Sequence, residues 1–328
     1  RFPVLDTFMI HPQQTWCIQI DVTNACHLHC SNCTRLLDHA KKRFIMSVEC
    51  FEKVVEAVKD FPTTSAPCPQ GRRKVVGMIG GEPLMHPKFP ELVDIICDKI
   101  PDPRHRGLWT SMDWPNTSHP IWGRHAPHVR KLLGPQPSGA VHKEHNTNGG
   151  YLNWNMHTEN LKVHHQPMLV AIKDRVPDEK KRMEMIMDCW VQREWSPSFT
   201  NKGFFFCEVA AAFDQVFQGN TGIEPSPDCW KGDITFVPDE NGVPRPQGPY
   251  AEQINTWCQR CGACLRMPGR RDKEDTDDVS PTNLIQLEAV NSPRLKAGAI
   301  VEHPIVDVEV QSAVPDTDWK PFRYIKGQ

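Results

Sequence analysis

The 328-residue chain contains no run of about eighteen consecutive apolar residues, which excludes a membrane-spanning helix from the reading. Its opening, Arg1-Phe2-Pro3-Val4-Leu5-Asp6, has neither an initiator methionine nor a signal-peptide pattern, so the first residue is expected to lie inside a longer encoded chain. Charge of one sign is also missing. The formal net charge is −2 and Lys and Arg are scattered rather than gathered in a stripe, which argues against a module built to hold a polyanion. Without a secretory signal, thirteen cysteines point to metal or redox use in a reducing compartment rather than a disulfide scaffold. The cytoplasm is the expected location. Thirty prolines, well above the usual share of about 5%, predict many turns and irregular connections.

What the chain does have is a cysteine loop. Cys26, Cys30 and Cys33 read C-H-L-H-C-S-N-C, directly after the strand-like W-C-I-Q-I-D-V of Trp16 to Val22. Three thiolates on one tight loop can hold three irons of a cubane cluster and leave the fourth without a protein donor. An iron so left can bind a substrate or cofactor, whereas a fully ligated cluster only passes electrons. A second short apolar run, K-V-V-G-M-I at Lys74 to Ile79, is followed at once by Gly80-Gly81-Glu82-Pro83. Glycines there let backbone carbonyls approach a ligand closely, and a nearby Glu favours an ammonium group. The same cysteines, with His27 or His29, also suit a structural Cys₃His zinc site, although zinc gives no reason for the glycine turn.

The two motifs, in this order and each after a strand, resemble those of the radical S-adenosylmethionine (radical SAM) enzymes. That resemblance implies a partial (β/α)₆ barrel, a 4Fe–4S cluster on Cys26, Cys30 and Cys33, and SAM bound at its open iron. Gly80, Gly81, Glu82 and Pro83 would meet the SAM amino group, with Thr110 and Ser111 as further polar contacts. Reductive cleavage would give a 5′-deoxyadenosyl radical that abstracts a substrate hydrogen, with the electron coming from a flavodoxin- or ferredoxin-type donor. One departure stands out: Asn32 occupies the place before the third cysteine where the family usually carries an aromatic residue.

Periodicity supports the alternation. Ser47 suits a helix cap, and Phe51, Val54, Val55 and Val58 form an apolar face. A second helix carries Phe89, Leu92, Ile95, Ile96 and Ile100, Gly107 to Met112 suits a third strand, and Ile121 to Leu133 a third helix. Strand–helix alternation predicts a parallel α/β sheet whose ligands gather at the strands' C-terminal ends. Residues 134–166 read as an insertion, with His142, His145, His157, His164 and His165 either contacting substrate or metal or standing on a solvated loop. Met168 to Ile172 reads as a buried strand and Asp178 to Trp195 as a helix with Met183, Ile186, Met187 and Trp190 inward. The sixth strand is not placed. Residues 1–196 then form the barrel and 197–328 a smaller cysteine-rich extension.

Asn201-Lys202-Gly203 predicts a hairpin ending on Cys207, and Cys258, Cys261 and Cys264 form a C-x₂-C-x₂-C run fifty residues on. This pairing resembles the SPASM and twitch extensions of radical SAM enzymes and implies a second, auxiliary 4Fe–4S cluster on those four cysteines, with Cys229 in reserve if Cys264 is not used. A zinc knuckle is the alternative. Cys17, Cys50, Cys68, Cys97 and Cys189 read as small buried hydrophobes. Arg266, Arg270, Arg271 and Lys273, before the acidic 274–278, suit a solvated face or a phosphate site, and Val306 to Val310 a strand in a covering tail.

For substrate, H-L-H-C-S-N-C-T-R with G-F-F-F-C-E-V-A-A-A-F-D looks like a radical SAM subgroup with relatives in phage pathways that hypermodify thymine in DNA. That implies rearrangement of an amino-acid-modified base, in the host cytoplasm if phage-encoded. A SPASM-type peptide maturase is the alternative enzyme, and a zinc-stabilised binding module the alternative that is not one.

Overall fold

The computed structural model describes residues 9–69, 71–111, 120–134, 149–154, 164–194, 197–265 and 267–304. The centre is a mixed α/β arrangement around one sheet. Its strands are β1 (Cys17–Thr23), β2 (Val75–Gly80), β3 (Arg106–Thr110), β4 (Tyr151–Trp154), β5 (Ser198–Thr200) and β6 (Gly203–Phe205), in the spatial order β4-β3-β2-β1-β5-β6. β1 runs parallel to both β2 and β5, and β2, β3 and β4 continue in parallel; only β6 turns back, pairing antiparallel with β5. The predicted hairpin therefore joins the main sheet beside β1.

Period-two alternation gives the sheet two different faces. Ile18, Ile20 and Val22 of β1, with Val76, Met78 and Leu108, face the helical layer and belong to the large apolar core. That layer includes α1 (Val48–Val58), α2 (Phe89–Lys99) and α3 (Pro120–Leu133). Ser47 caps α1 by accepting from the Cys50 amide at 3.1 Å, and Phe51, Val54, Val55 and Val58 are buried as the pattern requires. The opposite face carries Cys17, Val75, Trp109 and Tyr151 at one end. Gln19 and Asp21 follow on that face toward the C-terminal end of β1.

Three elements differ from expectation. β4 lies inside the segment read as an insertion and pairs with β3 from Gly107↔Tyr151 to Thr110↔Trp154. The Gly, Asn and His around it hid a four-residue strand. Met168 to Ile172 is not a strand: 168–170 is a turn, and Ile172–Arg175 a single helical turn. Its apolar side chains are nevertheless buried to within 2%. Such a run reports burial but not backbone period, and these backbone groups bond elsewhere, Met168 O to the Gly262 amide at 2.9 Å and Leu169 O to the Ser280 amide at 3.2 Å. The long helix from Asp178 is split into α4 (Glu179–Met187) and α5 (Trp190–Glu194), with the break at Asp188 and Cys189.

His142, His145, His157, Arg266 and the Val306 to Val310 run lie outside the described residues. Among the described residues no helix is long and apolar enough to cross a membrane.

Candidate active site and two cysteine groups

Cys26, Cys30 and Cys33 sit on the loop leaving the C-terminal end of β1, and Gly80-Gly81-Glu82-Pro83 leaves the end of β2. The two motifs are joined backbone to backbone. The Gly81 amide donates to Thr23 O and the Glu82 amide to Ala25 O, both at 2.7 Å. Gly80 has φ of 144°, and a Cβ added at Gly81 would stand 2.2 Å from Ala25 O. Only glycine permits so close an approach. What the sequence presented as room for a ligand is also room for the neighbouring loop.

Glu82 is fully buried. Its Oε1 accepts from the Leu84 amide at 3.1 Å and from Thr110 Oγ1 at 2.8 Å, and its Oε2 from the Ser111 amide at 2.9 Å and Ser111 Oγ at 2.8 Å. Burial pushes this carboxyl up and the four donors pull it back. Glu82, Thr110 and Ser111 thus form one brace tying the end of β3 to the turn after β2.

The three thiols are close enough to repel one another as thiolates. Burial pushes Cys26 up to about 12 and Cys33 acts in the same direction, while the Leu28 amide, 3.4 Å from Cys26 Sγ, opposes it. Cys30 is raised by burial and then by Cys33 and Cys26, and Cys33 chiefly by burial. His29, a candidate zinc partner, is turned to Asp38 at 3.2 Å. Among the described residues no three His, Cys, Asp or Glu side chains form a group that would hold a single metal ion. The thiolates of a cubane bind separate irons and need not converge on one point.

Asn32, with φ of 49°, is held by strand β7 (Asp277–Val279). Its amide donates to Asp277, its Nδ2 to Asp278 Oδ2 at 2.8 Å, and its Oδ1 accepts from the Asp278 amide at 2.9 Å. His165 Nδ1 meets Ser31 O at 2.8 Å, and the Ser31 amide donates to Asp272 O at 2.9 Å. Asp277 is itself gripped by His39 at 2.8 Å and Arg294 at 2.6 Å. The segment around 270–303 therefore clamps the cysteine loop. Arg270, a candidate phosphate ligand by sequence, is paired with Asp278 and Glu274.

In the second group Cys207, Cys258, Cys261 and Cys264 each lie within electrostatic reach of Cys189. Burial and then Cys189 push Cys207 up to about 12. Burial and then neighbouring thiols, Cys189 included, raise Cys258 and Cys261, and Cys264 is raised most by its hydrogen bond with Cys189 and then by burial. Cys189 was read as a lone buried residue. The break between α4 and α5 brings it here, and the only sequence signal was the polar Asp188 interrupting an apolar helix face. Cys229, the reserve candidate, is elsewhere: its carbonyl accepts from Tyr250 Oη at 2.7 Å, and the charged groups acting on its thiol are Asp228 and Lys231. Burial pushes that thiol up to about 11.

The second cysteine turn is seated on 167–171. A Cβ at Gly262 would stand 2.1 Å from Pro167 O. Gln166, also missed in the sequence, donates from Nε2 to the carbonyls of Gly262 at 2.8 Å and Ala263 at 3.1 Å, and to that of Leu265, while Trp190 Nε1 fixes its Oε1 at 3.0 Å. The Ala263 amide, 3.3 Å from Cys261 Sγ, repeats the amide-to-sulfur pattern of the first loop.

No protein-family profile matches the chain, and no curated protein matches it. Among solved structures, one match is a protein described as BtrN in complex with AdoMet and 2-DOIA. The likeness covers 75% of this chain and 92% of that one at 16% identity, with a TM-score of 0.40.

Proposed function

We propose that the chain is a radical SAM enzyme, its strands forming the inner layer of a partial (β/α)₆ barrel. The observation that carries the reading is the junction of its two motifs. A three-cysteine loop and a glycine turn leave adjacent parallel strands at the same end of the sheet and are bonded through Gly81 and Glu82. Ligands of parallel sheets collect at that end.

The donor set fits a 4Fe–4S cluster: three thiols in mutual electrostatic reach, with an amide at one sulfur. Cys26, Cys30 and Cys33 would hold it, and the five-cysteine group of Cys189, Cys207, Cys258, Cys261 and Cys264 an auxiliary one. Bound with SAM, such a cluster supplies reductive cleavage of the C5′–S bond and a 5′-deoxyadenosyl radical. The protein's own part is placement. Gly80 and Gly81 keep the turn low, and Glu82, Thr110 and Ser111 lock the strand ends so that backbone carbonyls of the turn are available to the SAM ammonium. Asn32 and the 270–303 segment hold the cysteine loop.

Within this reading we take the reaction to be a rearrangement of an amino-acid-modified thymine, resting on H-L-H-C-S-N-C-T-R and G-F-F-F-C-E-V-A-A-A-F-D, in the cytoplasm and with a flavodoxin- or ferredoxin-type electron donor. Anaerobic reconstitution tests the class of chemistry. The reduced protein is expected to carry iron and sulfide and to convert SAM to 5′-deoxyadenosine, with Cys30→Ala losing that activity. A colourless protein with stoichiometric zinc, or a Cys30→Ala protein that still makes 5′-deoxyadenosine, contradicts it. Mass spectrometry of modified nucleosides and peptides after incubation separates the substrates, since an isomerised base keeps its mass and shifts only in retention.

A further inference from the structure

On the face of the sheet away from α1 and α2 lies a buried charge arrangement whose Arg35 also acts on Cys33 of the first cysteine group and Cys207 of the second. Asp21 of β1, Arg35 after the cysteine loop, and Glu208 at the start of α6 (Glu208–Val216) are 5%, 7% and 5% exposed. Arg35 Nη2 donates to Glu208 Oε2 at 2.8 Å and to Gln19 Oε1. Its Nε faces Asp21 Oδ1 at 3.3 Å, out of hydrogen-bond alignment. Asp21 Oδ2 accepts from Ser198 Oγ at 3.3 Å. Four buried atoms are left without a hydrogen-bond partner: Arg35 Nε, Arg35 Nη1, Asp21 Oδ1 and Gln19 Nε2. Asp21 and Arg35 line a small recess partly open to solvent, together with Thr23, Gly80, Thr200 and Gln215.

The balance of charge is uneven. Burial raises both Asp21 and Glu208, and Arg35 is the positive charge opposing it at each, so one guanidinium serves two buried acids that a second cation would help to hold ionised. Buried polar atoms are nearly always partnered, and a buried carboxylate lacking a counter-charge is among the costliest arrangements. One added positive charge beside Asp21, with one acceptor for Arg35 Nη1, would complete the set. The recess lies where β1, β2 and β5 end, so a ligand there would stand beside both motifs.

We propose that this recess is a substrate-recognition subsite taking a primary ammonium group with an oxygen acceptor on the neighbouring carbon. Calling the ligand a substrate rests on the radical SAM reading, whereas the recognition chemistry stands without it. SAM is itself a cation, so the test must separate it from the substrate.

Saturation-transfer NMR on the full chain, both metal-free and reconstituted, with ethanolamine, ethylene glycol and glycolate as probes, provides that test. Ethanolamine is expected to bind, with the neutral and anionic analogues at least fivefold weaker. Asp21→Asn and Glu208→Gln should each weaken ethanolamine at least fivefold and leave SAM affinity within twofold. Absence of ethanolamine binding, equal binding of ethylene glycol or glycolate, or unchanged ethanolamine binding in both folded variants overturns the proposal. A parallel loss of SAM and ethanolamine binding in Asp21→Asn also overturns it, assigning the recess to the cofactor. Should a variant fail to fold by circular dichroism, the ranking of probes on the wild-type chain decides. Amine selectivity without SAM cleavage removes the radical reading and keeps the subsite, while cleavage without amine selectivity removes the subsite alone.

Discussion

At Glu82 a buried carboxyl is held by four donors from three residues, Leu84, Thr110 and Ser111. Removing an acceptor strands its buried donors, at about 1–3 kcal/mol for each left unsatisfied. Two of these donors, the Leu84 amide and Thr110 Oγ1, are buried and the Ser111 pair only partly so, so Glu82→Ala is expected to lower unfolding free energy by roughly 3 kcal/mol, read from urea titration, and a loss below about 1 kcal/mol would contradict the brace. The motif was plain in the sequence but this role was not, because Thr110 and Ser111 become its partners only when β3 pairs with β2. Cysteines divide in the same way. Cys26, Cys30 and Cys33 announce themselves by spacing, whereas Cys189 is brought to its group by a helix break. Iron analysis after reconstitution should find that Cys189→Ala lowers iron as Cys258→Ala does and that Cys229→Ala leaves it at the wild-type level. The reverse pattern would return Cys229 to the group.

Among the elements, the strands and helices with clean period were legible. β1, β2, β3, α1 and α2 appear where alternation and i, i+3, i+4 spacing put them. Elements defined by tertiary contact were not. β4 has only four residues set among Gly, Asn and His, so its place at the sheet edge follows from pairing with β3. The 168–172 run has strand composition but a turn's hydrogen bonds, set by Gly262 and Ser280. The clamp on the cysteine loop was equally hidden, since Asn32 and Asp278 are 246 positions apart. Asn32→Ala removes three side-chain hydrogen bonds, two with Asp278 and one to His165 O at 3.4 Å, around a left-handed backbone and is expected to cost about 2 kcal/mol. Amides of the 26–36 loop should then exchange faster with deuterium, and unchanged exchange there would separate the clamp from the loop.

Across the whole molecule, the 270–303 segment holds the first cysteine loop through the buried carboxyls of Asp277 and Asp278, which makes stability depend on pH. Burial pushes Asp278 up, but hydrogen bonds from Arg270, Asn32 and His303 outweigh it and hold the carboxyl below its ordinary 3.8. A carboxyl lowered on folding binds its proton more readily in the unfolded chain. Its stabilisation is therefore complete above about 3.8 and is lost as pH falls through the lower folded value. Urea titrations from neutral pH down to about pH 2 should show Asp278→Asn less stable than wild type at neutral pH, with the gap narrowing at the acid end. A constant gap would place the acid sensitivity elsewhere.

In the proposed enzyme the first cysteine loop would leave one iron for a small molecule to occupy. Electron paramagnetic resonance of the reduced, reconstituted protein, recorded before and after adding SAM, tests this most directly. SAM is expected to change the signal of the cluster on Cys26, Cys30 and Cys33, and Cys258→Ala/Cys261→Ala protein to keep that change. A spectrum indifferent to SAM, or a first loop that takes up zinc and no iron, would contradict it.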